Sequence, residues 1–75
     1  MNSAENIARV TRQLEILAIR SFELAERVES GEVEFLDAID VAYDGAYWSG
    51  LVESVGNDVV QTVLHEAFGK VWRRS

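Results

Sequence analysis

Apolar residues recur along this chain at helical spacing, in three runs separated by glycine. In the first, from about Ser3 to Glu29, Ile7, Val10, Leu14, Leu17, Ser21, Leu24 and Val28 follow at alternating intervals of three and four. That is a heptad seam with one polar interruption, at Ser21, and it predicts an amphipathic helix laid against a neighbour. Ala18, Phe22 and Ala25 widen the same face. Ser3 is the expected N-cap, and Glu5 stands in the first turn, where the helix dipole favours an acid. At 1.5 Å per residue the helix extends ~40 Å. Ile16 and Ile19 miss the stripe and project among Arg9, Arg12 and Glu23. They are either isolated exposed side chains or contacts to a third helix or a second subunit.

Ser30-Gly31 is the clearest punctuation. Gly31 is suited to end a helix, while Ser30 offers a cap to the next, with Glu32 and Glu34 in its opening turn. Either way the chain turns and a helical hairpin follows.

The second run covers 32–55. Leu36, Ile39, Tyr43, Ala46, Tyr47 and Gly50 form one helical stripe, and Val41, Trp48, Val52 and Val55 form a second. Two stripes are what the middle helix of a bundle requires, since it touches two neighbours. Between them Asp37, Asp40 and Asp44 make an acidic strip at i, i+3 and i+7. Gly45 and Gly50 each cost about 1 kcal/mol inside a helix, which leaves a break near Asp44-Gly45 or Ser49-Gly50 open. Against that, Ala42, Ala46 and Gly50 form a ladder of small residues that lets two helix backbones approach closely. A continuous or mildly kinked helix is the favoured expectation.

Gly56-Asn57 ends this run, and Asn57 or Asp58 is expected to cap the third. Val60, Val63, Leu64, Ala67, Phe68 and Val71 then give one broad apolar face, with Lys70, Arg73 and Arg74 in the last turn, where cations suit the dipole. Nothing alternates with period two for long enough to suggest a strand. The fold expected is all-α: a three-helix bundle in one domain, 1–75, with a long first helix.

Composition changes this picture in two ways. Seventy-five residues lie near the lower size at which a chain folds unaided, and with no cysteine there is neither a disulfide nor a Cys-based zinc site. Yet 48% of the residues are hydrophobic, more than so small a domain hides, which points to self-association, with a homodimer foremost, or to a protein partner. Charge is the second. The net charge is −6, and 28–69 contains no Lys or Arg beside nine acids. Such a middle repels phosphate backbones and suits a basic protein surface, or it simply keeps the protein soluble. The first 27 residues have no uncharged stretch of signal-peptide type, and no apolar run approaches the ~20 residues of a spanning helix, so a cytoplasmic protein without membrane contact is expected.

Catalytic chemistry is thinly represented. His65 is the single histidine and has no second histidine four residues on, so the zincin pattern fails; it is expected at a helix edge. The aspartate strip lacks the loop carbonyls that complete a calcium site, and the glycines show no phosphate-binding spacing. Neither cofactor, metal nor nucleic acid is expected, and the chain is read as a non-enzymatic protein–protein interaction module: an adaptor, assembly subunit or regulator. The partner-binding residues expected are Asp37, Asp40, Asp44, Trp48, Ile16, Ile19 and Trp72. For the two tryptophans core membership is the plainer role; large aromatics also anchor interfaces. Two alternatives stand beside this reading. One is an acidic inhibitor whose Glu34 and aspartates occupy the basic groove of a nucleic-acid-binding protein. The other is a small-ligand or enzymatic pocket around Tyr43, Tyr47, Trp48 and His65.

Overall fold

The first run folds as its spacing dictates. In the computed structural model, which describes residues 3–72 and the side chains of 4–71, α1 is a single helix, Ser3–Glu29. The Gly31 N–H donates to the Val28 carbonyl at 3.1 Å and the Glu32 N–H to that of Arg27 at 2.9 Å, the paired bonds of a Schellman turn. The capping role expected of Ser3 and the placing of Arg73 and Arg74 lie outside the described residues.

Among the described residues four helices form, not three: α1, α2 (Phe35–Trp48), α3 (Leu51–Val55) and α4 (Asn57–Trp72). The expected continuous helix over 32–55 therefore divides, and the division falls at Gly50 instead of Gly45. Gly45 sits inside α2 with helical backbone. Gly50 takes the left-handed conformation, φ 82°, and its N–H closes on the Tyr47 carbonyl at 3.1 Å. Only glycine reaches that conformation without steric cost, and the turn it makes delivers Leu51, 1% exposed, into the core. A buried leucine outweighs the few helical hydrogen bonds lost at the break. The start of the second helix also moves. Glu34 is the residue before α2, in extended conformation, so Glu32 precedes the helix. Asn57 is the first residue of α4, and its Oδ1 accepts the Tyr43 hydroxyl at 2.9 Å, tying α2 to α4.

The two glycines should therefore respond oppositely to alanine. Beyond the adjoining residues and local helix backbone, no described atom lies within 4 Å of a Cβ built on either. Gly45→Ala removes a flexible residue from a helix interior and is expected to stabilise the chain by about 0.5–1 kcal/mol. Gly50→Ala meets the left-handed penalty and should destabilise by about 1–2 kcal/mol. Thermal melts of dilute samples check this; equal shifts for the two would contradict the break.

α2 runs antiparallel to α1 and α4 returns parallel to it, and α1 packs along both. The core draws Leu17 and Ala25 from α1, Leu51 from α3, and Val60, Leu64, Ala67, Phe68 and Val71 from α4. Phe35 meets Phe68 edge to face at 6.2 Å between ring centroids. The seam of α1 is used from Val10 onward, but Ile7, expected within it, is 66% exposed. The Gln13 amide donates to the Ser49 carbonyl at 3.4 Å, so α2 ends level with Gln13, about two turns short of Ile7. The result is a body 45 × 18 × 16 Å, with the first turns of α1 overhanging one end.

Ser21, the polar member of the seam, is wholly buried, and among the described residues its hydroxyl finds no hydrogen-bond partner. A hydroxyl held dry and unpaired disfavours the folded state. Ser21→Ala is expected to stabilise by about 1–2 kcal/mol, read as a rise of roughly 4–16 °C in Tm. A lower Tm would show that the hydroxyl contributes to folding.

Candidate interaction surface

α2 is built inside out. Its buried residues are Ala38, Ala42 and Ala46, at i, i+4 and i+8. A stripe of methyl groups lets α2 sink into the crevice between α1 and α4, because helix axes approach more closely where side chains are small. The large apolar residues consequently leave the core. Leu36 is 71% exposed and Trp48 80%, with Val41 and Tyr47 also more than half exposed. This corrects the two expected stripes: of their members on α2, Ile39 and Tyr43 are half-buried, only Ala46 is buried, and Leu36, Tyr47, Val41 and Trp48 face outward. Core membership for Trp48 is likewise overturned. The side chain of Trp72 lies outside the described residues.

Asp37, Asp40 and Asp44 are all exposed on the outward side. At about 100° per residue, Leu36 and Tyr47 border the aspartate strip on one side, with Trp48 and Val41 on the other. Tyr47 and Trp48 pack edge to face, ring centroids 5.2 Å apart. They line a shallow concavity with Gly50, Val52 and Glu53, to which Tyr43 and His65 do not contribute. Tyr43 is half-buried and bonded to Asn57, while His65 is exposed on α4. Among the described residues no three acids or histidines are grouped closely enough to hold a metal ion. Nor, among them, is any helix long and apolar enough to cross a membrane.

A groove of about 300 Å³ runs between α1 and α2. Its floor is Leu17, Leu24, Ala42, Ala46 and Leu51; Ile16 and Arg20 form the α1 wall and Val41 the α2 wall. Gly45, lacking a side chain, leaves the α2 wall low. Ile16, 44% exposed, is thus one rim of an apolar furrow, whereas Ile19 projects on the outward side of α1 away from it. The structure brings Ile16, Val41 and Trp48 to one side of the molecule and leaves Ile19 apart. Val41, Leu36 and Tyr47 were missed as surface residues; the signal that reveals them is the alanine stripe, which fixes the inward face of α2 and so its outward one.

Hydrogen bonds in the C-terminal half of α2 and just beyond it hold this surface in place. The Ser49 hydroxyl donates to the Ala46 carbonyl at 3.0 Å, Gln13 reaches the Ser49 carbonyl, and Tyr43 reaches Asn57. The surface is therefore presented by a helix tied to both neighbours. No family model matches the chain, and no curated protein or solved structure is significantly similar to it.

Proposed function

We propose that this chain is a cytoplasmic, non-enzymatic interaction module, an adaptor, assembly subunit or regulator, that binds another protein through the outward face of α2. One observation carries the reading: α2 spends alanines on its core and exposes Leu36, Val41, Tyr47 and Trp48. In a protein whose size already limits its core, four large apolar side chains on one helix face favour a surface meant to be covered. Tyr and Trp are also the residues that most often dominate interface energies.

The test replaces Trp48 with a photoreactive phenylalanine analogue and irradiates cells making the protein. A discrete adduct is expected, reduced by Leu36→Ser and by Tyr47→Ser while the helical circular dichroism is unchanged. An adduct pattern no different from that of the same analogue at Gln61, exposed on α4, would count against the reading.

The aspartates favour a second reading, an acidic inhibitor of a basic protein. Asp37, Asp40 and Asp44 lie within the same exposed face, and 28–69 offers no positive charge to offset them. Binding to such a partner weakens steeply with salt and is lost in Asp40→Lys/Asp44→Lys. Unchanged affinity in that variant sinks this second reading.

A further inference from the structure

We infer that the groove side of the α1–α2 hairpin is covered by a second copy of this chain, related by a two-fold axis parallel to the helices. This rests on the interaction-module reading and names the partner.

The argument is one of charge and register. At about 100° per residue, the four arginines of α1, Arg9, Arg12, Arg20 and Arg27, fall within an arc of ~80° centred near Ile16. Glu5 and Glu23 are the acids in that arc, so it is net positive. The facing edge of α2 carries Asp37 and Asp44 beside Val41 and Trp48 and has no basic residue. One side of the molecule is therefore basic along α1, acidic along α2 and apolar between them. A surface divided in this way is complementary to itself: the two-fold axis sets α1 of each protomer, antiparallel, on α2 of the other.

The levels agree. Gln13 stands beside Ser49, so the antiparallel hairpin puts Arg20 near the level of residue 42 and Arg27 near that of residue 35. A two-fold axis along the helices leaves levels unchanged. Arg20 of one protomer thus comes within a turn of Asp44 on the other, and Arg27 within a turn of Asp37. Ile16 arrives near the level of residue 46. There Val41, Asp44, Gly45 and Trp48, at i, i+3, i+4 and i+7, frame a hole of the kind that receives a knob in paired helices, and Gly45 is its open floor. Two hairpins joined in this way make a four-helix layer with both Trp48 side chains covered.

Sedimentation velocity on the full chain, from micromolar to millimolar concentration, tests the inference. Wild type is expected to pass from monomer to dimer. Arg20→Glu/Arg27→Glu and Asp37→Arg/Asp44→Arg each place like charges together and should raise the dissociation constant about tenfold or more. All of these side chains are exposed, so both variants should keep wild-type helicity. Mixing the two restores a dimer, because the hetero-pair is complementary at both halves, and so does the four-fold variant in one chain. Gly45→Leu keeps the helix and fills the hole, and should abolish the dimer. A wild type that stays monomeric throughout overturns the inference, and so does a dimer indifferent to the charge reversals or not restored by combining them. A monomeric wild type that still forms the Trp48 adduct with a foreign protein overturns self-association alone and leaves the interaction module standing.

Discussion

Phe68→Ala is expected to leave much of the chain unfolded at physiological temperature. Phe68 is wholly buried on α4, with the Phe35 ring packed perpendicular to it. Truncating such a phenylalanine destabilises by about 3–5 kcal/mol, from lost transfer energy and from the cavity left behind. At roughly 0.05–0.15 kcal/mol per residue, a chain of 75 has only about 4–11 kcal/mol in all. Phe35 would lose its partner as well, so the α2–α4 contact opens together with the core. Chemical denaturation monitored by far-ultraviolet circular dichroism gives the measurement. A shift below about 1 kcal/mol would mean that the core is not organised around Phe68.

Ala38→Leu is the second large effect, and its sign reverses ordinary hydrophobic intuition. Ala38 is fully buried in the stripe that seats α2 against its neighbours. Three added carbons have no space to occupy, so α2 must rise out of the crevice, at about 1–3 kcal/mol or more. Trp48→Ser removes a far larger apolar group and should move stability by no more than about 0.5 kcal/mol in the monomer, since Trp48 is 80% exposed. The two melts, compared at equal dilution, separate an inside-out helix from an ordinary one. Were Ala38→Leu stabilising and Trp48→Ser strongly destabilising, the assignment of the two faces of α2 would be reversed.

Those residues also show where sequence reasoning succeeds and where it stops. α1 and α4 are legible because their cores are made of large residues at regular spacing: Leu14, Leu17 and Leu24 on one, Val60, Leu64 and Phe68 on the other. α2 misleads because size and burial are decoupled there. A pattern read from large side chains assigns Leu36 and Trp48 to a core that in fact needs alanines, and which requirement wins depends on how closely three helices meet. Backbone conformation is the other hidden quantity. Gly45 and Gly50 look alike in sequence, yet only Gly50 is followed by a leucine that burial pulls across the turn. As for the surface, Asp37, Asp40, Asp44 and Trp48 were legible as candidates from composition and charge. The joining of Ile16 to Val41 and Trp48 was not, because it depends on the level at which two antiparallel helices stand.

The overhang of α1 has a consequence for how the molecule opens. Before Val10 the seam of α1 leaves the core, Ile7 being 66% exposed, so the first turns draw little from packing, and short unsupported helix is marginal in water. Unfolding of that stem requires no disruption of Phe68 or Leu51 and is therefore far less costly than unfolding of the whole. The amides of the first turns should exchange with solvent through local fraying, while those beyond Leu14 wait for global opening. The chain thus contains two stabilities in one continuous helix, and the boundary between them falls near Val10, where the seam of α1 first meets the core.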